Sequence, residues 1–233
     1  MKNALRIAWR EIRWEIFGDR GAVGRMGIFA ILPIVFVLSN RGPRVNELAI
    51  FSLGLQSALF PALSGVALIA STFTQEKENG TIIPLLASPV RDMDIVVGKL
   101  LGMIGPVFTL CVGSVALFYA LASAQFGAAR VRLALPPEIV YALVVTSLLY
   151  LLSAGSWVLI VAALVRTTRA GQQIAGLLIG VSVAVFAGLG LVASQAADGW
   201  GLVILGVALV ASDVIALDVA RRVWRREEVL ARI

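Results

Sequence analysis

Residues 48–73, LAIFSLGLQSALFPALSGVALIASTF, run directly into residues 74–99, TQEKENGTIIPLLASPVRDMDIVVGK, and a second apolar run, 100–126, follows. Each apolar run exceeds the roughly 20 residues that a helix needs to cross a bilayer. The polar stretch between them is therefore a loop held at a membrane face. Its order of acidic residues, Gly-Thr, Leu-Leu and Ser-Pro is not random solvation, and it reads as a docking surface.

Composition agrees with the membrane assignment. The chain of 233 residues is 59% apolar and 15% charged, with a mean hydropathy of +0.93, far from the balance of an ordinary globular domain. The net charge of +6 is then a loop bias and not a nucleic-acid surface. Cys111, the single cysteine, lies inside an apolar run and forms no intramolecular disulfide, and the chain has no histidine. The common zinc, haem and copper ligand sets are missing, so no metal site is expected.

Six apolar segments are long enough to span: Gly21 to Ser39, Leu48 to Phe73, Leu100 to Phe126, Ile139 to Val165, Ile174 to Ser194 and Trp200 to Ala220. All are expected to be helices, because the bilayer offers backbone amides no water. Pro33, Pro61 and Pro106 read as kinks within them. The fold class expected is all-α: a single polytopic domain of six transmembrane helices over residues 1–233, with an interfacial helix over 1–20, a cytoplasmic loop over 74–99 and a tail over 221–233. No cleavable leader is visible at the charged N-terminus.

Orientation follows from Lys and Arg. Sixteen of the twenty fall on the side of the termini and the central loop, and Arg41, Arg44, Arg130 and Arg132 are the other four. The positive-inside rule places both termini and the loop in the cytoplasm of a multi-pass cell-membrane protein. At the N-terminus, Leu5, Ala8, Trp9, Ile12 and Ile16 share one helical face, while Lys2, Arg6, Arg10 and Arg13 fall together on another. This is the pattern of a helix lying among headgroups. The tail reads as a headgroup anchor.

Within the loop, Gln75 to Asn79 extend the second span and Gly80 can close that helix by adopting positive φ. Thr81 can cap a new helix carrying Ile82, Ile83, Leu85 and Leu86. Ser88 and Pro89 then supply the N-cap and first turn of a third helix. Asp92 and Asp94 lie near its positive end, and it continues through Gly98 and Lys99 into the third span. The result is a small apolar knob flanked by Glu76, Lys77, Glu78 and Arg91. A solvated connector has no need of four large aliphatic residues framed by two capping signals.

At Glu78, Gly80, Thr81, Leu85, Leu86, Ser88, Pro89, Gly98 and Lys99 the chain resembles the ABC-2 permease family, the membrane subunits of a class of ATP-driven transporters. The span count, cytoplasmic ends and N-terminal helix are similar to that family as well. Two features depart from it: Pro84 stands where a helix former is expected, and only SQAADG joins the last two spans. The resemblance implies a permease subunit, an exporter, whose second copy or a similar permease completes the pathway. It also implies that ABC ATPase subunits dock on Glu76, Glu78, Gly80, Thr81, Leu85, Leu86, Ser88 and Pro89. ATP and Mg would sit on that partner, with no cofactor on this chain and no catalysis by it. The chain agrees in lacking G-x-x-x-x-G-K-[ST], since Met93 stands at the leading position and Leu100 follows Lys99. A haem-exporter-type subunit of cytochrome maturation, and a non-transporting scaffold that recruits a cytoplasmic partner, are the alternatives. An intramembrane enzyme is poorly supplied with general acid–base groups.

Three polar residues inside spans are singled out: Arg25, Gln56 and Asp213. Asp213 lies roughly 10 Å of helical rise from the cytoplasmic end of its span, where an ionised carboxylate in lipid costs about 3 kcal/mol or more. Arg25 is the expected ion-pair partner. Gln56 either lines a path or hydrogen-bonds a neighbouring helix. Gly176, Gly180, Ala184 and Gly188 recur every four residues and offer a close-packing face, either between permeases or within the chain. Asp218 has Arg221 and Arg222 at helical spacing, and Arg166, Arg169, Gln172 and Gln173 read as headgroup contacts.

Overall fold

The computed structural model describes residues 2–13, 20–39, 45–78, 90, 92–164, 169–170, 173, 176–177, 180 and 200–223. Among them are seven helices and no strand: α1 (Lys2–Glu11), α2 (Arg20–Ser39), α3 (Glu47–Glu78), α4 (Asp92–Phe126), α5 (Ala128–Ala134), α6 (Pro137–Leu164) and α7 (Trp200–Val223). The all-helical class is as the sequence indicates. Three helices are long and apolar enough to cross a membrane, through Glu47–Ala70, Asp94–Phe126 and Pro137–Val161, and α2 carries a shorter apolar stretch, Gly27–Ser39. The expected fifth span lies largely outside the described residues.

Pro33, Pro61 and Pro106 all sit inside unbroken helices. The start of α3 is fixed by Asn46, whose Oδ1 accepts the Ala49 N–H at 2.9 Å, an N-cap that satisfies one of the helix's orphan donors. With 32 and 35 residues, α3 and α4 reach about 48 and 52 Å, well beyond the ~30 Å hydrocarbon layer. Both therefore carry helical stems beyond the apolar core toward the central loop.

α4 is the hub. It packs against α1, α2, α3, α5 and α6, while α7 packs on α6. The core has two tiers. Val66, Ile69, Ile95, Met103, Val107 and Leu151 form the tier nearer the central loop. Ile50, Phe118, Ala122, Val131 and Leu135 form the other. Ser114 ties α4 to α2 by donating to the Ala30 carbonyl at 3.0 Å. Large apolar side chains on the outer faces of α2 and α7, among them Ile28, Phe36, Val207 and Val214, are exposed, as befits helices solvated by lipid.

The short α5 has no counterpart in the sequence reading, which treats this segment as a bare connector. It follows Gly127, whose φ of +92° is disfavoured for residues with a Cβ and turns the chain sharply after α4. Val131 and Leu135 then anchor the segment in the far tier.

Candidate functional site

The central loop meets the helices through two stems. The α3 stem continues to Glu78, as expected for Gln75 onward, and the α4 stem starts at Asp92 and runs unbroken through Gly98 and Lys99. Glu76 and Glu78 belong to the last turn or so of α3, with side chains outside the described ones. Gly80, Thr81, Leu85, Leu86, Ser88 and Pro89, together with Pro84, lie outside the described residues. Val90 packs against the tier of core nearer the loop.

The α4 stem is the seat of α1. A Cβ on Gly98 would lie 2.8 Å from both the Ala4 carbonyl oxygen and the Ile7 Cβ. At Gly102 it would lie 2.7 Å from the Glu11 Cβ and 2.9 Å from the Ala8 carbonyl oxygen. Only glycine lets the two backbones approach this closely, and the spacing of four keeps both glycines on one face of α4. Ala4, Ile7, Ala8 and Glu11 supply the facing surface and are buried, whereas Leu5 and Trp9 are exposed. Of the apolar stripe seen in the sequence, Ala8 packs on protein while Leu5 and Trp9 do not. The packing face is centred beside it, on Ala4, Ile7, Ala8 and Glu11.

Between the two glycines stands Lys99. Its Nζ donates to Glu11 Oε1 at 3.3 Å, and both side chains are fully buried. Arg10, half exposed, donates to the same oxygen at 2.9 Å. Glu11 Oε2 is buried with no hydrogen-bond partner among the described residues. A buried ion pair costs desolvation on both sides, so its value lies less in net stability than in fixing register, since neither charge tolerates loss of the other. Lys99 is thus part of the sequence pattern singled out above, but its described partner is the N-terminal helix.

The intramembrane polar residues lie on three different helices. Arg25 falls in α2, with its side chain outside the described ones, and Gln56 is partly buried on α3. Asp213 is on α7, with Oδ1 buried and unpartnered among the described residues. Its neighbours are on α6. The Ser153 hydroxyl stands beside the carboxylate and 2.7 Å from the Ser212 hydroxyl, and the Trp157 indole N–H donates to Ser212 at 3.0 Å. This α6–α7 polar seam was not foreseen, although the i, i+4 pair Ser153 and Trp157 was its visible signal. Asp218 accepts from Arg222 at 2.7 Å on the exposed face, as its spacing indicates. Gly176 and Gly180 have nothing within 4 Å of an added Cβ, Ala184 and Gly188 lie outside the described residues, and among the described residues an added Cβ would come within 3.0 Å of a neighbour at Gly54, Gly65, Gly98 and Gly102.

A helical array with three membrane-length apolar helices and two stems projecting into one polar loop defines a multi-pass membrane protein. The family model described as ABC-2 family transporter protein matches residues 28–207. The chain belongs to the ABC-2 family of transporter proteins, the membrane subunits of ABC transporters. No curated protein matches it significantly.

Proposed function

We propose that this chain is the permease subunit of an ABC exporter, with six spans, an interfacial α1 and both termini in the cytoplasm of the cell membrane. Two copies, or one copy with a similar permease, form the pathway. Separate ATPase subunits hold ATP and Mg and dock on the loop 74–99 through the knob of Leu85 and Leu86, flanked by Glu76, Glu78, Gly80, Thr81, Ser88 and Pro89. The observation that supports this reading is the pair of stems. α3 and α4 run as continuous helices from the membrane core to Glu78 and from Asp92, so a push that reaches these two ends passes to two central helices. The α4 stem also carries α1, which makes the interfacial helix part of the moving body.

The test is co-purification. Leu85→Asp combined with Leu86→Asp should leave membrane insertion intact and abolish recovery of the ATPase with the permease. Undiminished recovery counts against docking on this loop, and recovery of an ATPase whose turnover never responds to the permease favours a scaffold.

A further inference from the structure

We infer that the α6–α7 seam holds an intramembrane site for an organic cation, with the Asp213 carboxylate as counter-charge and the Trp157 indole as apolar wall. As the substrate class of the pathway, this rests on the permease reading; as a binding site, it stands alone.

Four observations carry it. First, Asp213 Oδ1 is buried with no partner among the described residues, and buried polar atoms are otherwise paired in folded proteins. An ionisable group at this depth marks a functional site unless a structural partner neutralises it.

Second, the chain offers few candidates for that partner. Lys99 is committed to Glu11, the segment Ile174 to Ser194 has no charged residue, and Arg25 is the one cation within the six expected spans. Arg25 belongs to α2, whose most extensive contacts are with α3 and α4, whereas those of α7 are with α6; the Arg25 side chain lies outside the described ones.

Third, the seam is built and not accidental. Ser212 accepts the Trp157 N–H and meets the Ser153 hydroxyl, which fixes the indole and leaves hydroxyls beside the carboxylate. The indole also packs against the small cluster of Ile160, Ala216 and Ala220.

Fourth, Asp213, Ser212 and Trp157 are each only partly buried, so the seam keeps some accessible surface. A carboxylate that shares a seam with an aromatic ring, the ring being held by the adjacent Ser212, suits a positive charge that carries apolar surface, by ion pairing and cation–π attraction together.

Binding of radiolabelled tetraphenylphosphonium to the full-length permease in nanodiscs, without any ATPase, tests the site independently of transport. Empty nanodiscs set the partition baseline. Tetraphenylborate, of the same shape and opposite charge, controls for apolar uptake. Saturable phosphonium binding should weaken at least tenfold in Asp213→Asn and several-fold in Trp157→Leu, while Asp213→Glu retains most of it and borate uptake does not fall. Equal phosphonium binding by the wild type and Asp213→Asn overturns the proposal, as does the absence of saturable binding in the wild type. Saturable binding that appears only in Arg25→Ala also overturns it, by identifying Arg25 as the structural counter-ion. Loss in Asp213→Asn counts as support only when Ser114→Ala, a variant distant from the seam, binds normally. If phosphonium binds but no ATPase partner exists, the site stands and the transport reading fails.

Discussion

Glu11 and Lys99, 88 residues apart in the chain, meet at 3.3 Å with both side chains fully buried. The contact joins the N-terminal helix to the α4 stem at the point where the central loop rejoins the hydrophobic core. It is flanked by the two glycines that let the backbones touch, so charge, shape and register select the same arrangement.

The pair should behave as a unit. Lys99→Met or Glu11→Leu alone strands a buried charge and should cost about 3–5 kcal/mol, whereas the double replacement should recover most of that loss. Thermal unfolding in detergent measures the cycle, with Trp9 fluorescence reporting on α1. Additive effects of the two single replacements would show that the charges do not interact.

The glycine seat gives a sharper contrast. Gly102→Leu must displace Glu11 and the Ala8 carbonyl, and it should cost roughly 1–3 kcal/mol by overpacking and loosen α1. Gly113→Ala, on the same helix with nothing within 4 Å of the added Cβ, should be neutral or stabilise by about 0.5–1 kcal/mol through helix propensity. Protease sensitivity of the N-terminus in membranes separates the two: it should rise for Gly102→Leu and stay unchanged for Gly113→Ala.

These two sites also show what was legible in the sequence. The long helices were, because an apolar run of that length has one way to satisfy its backbone in lipid, and Pro33, Pro61 and Pro106 did not mislead. The stems were legible too, through Gln75 onward and the run through Gly98 and Lys99, although α4 starts at Asp92 and Val90 lies in a bend, so the helix does not begin at the Ser88-Pro89 cap expected for it. The seat of α1 was not, because its surface is two alanines, Ile7 and one acid, which form no clear stripe in hydrophobic periodicity. The sequence does contain Gly98 and Gly102 four apart, but Lys99 between them drew attention to a failed phosphate-binding motif. α5 was hidden for another reason: seven residues with two arginines resemble a loop until Gly127 supplies the turn that lets Val131 and Leu135 point inward.

Ser114 makes a single hydrogen bond between α4 and α2, in the tier away from the loop. Ser114→Ala should cost about 0.6 kcal/mol, the usual worth of such a bond between membrane helices. It should leave ATPase co-purification unchanged, because the α3 and α4 stems are untouched. Loss of co-purification would mean that the loop senses the α2–α4 contact directly.

Orientation can be read by cysteine labelling with little interference, because the native Cys111 is only 1% exposed. Lys77→Cys, in the α3 stem, should react with an impermeant maleimide only after the membrane is opened. Arg132→Cys, on an exposed position of α5, should react in intact cells. The two positions are separated by the full apolar length of α4, so they cannot share a side if that helix spans the bilayer. Labelling of Lys77→Cys in intact cells would turn the central loop outward, away from any cytoplasmic ATPase. The stems would still reach the loop, but no motor could act on it.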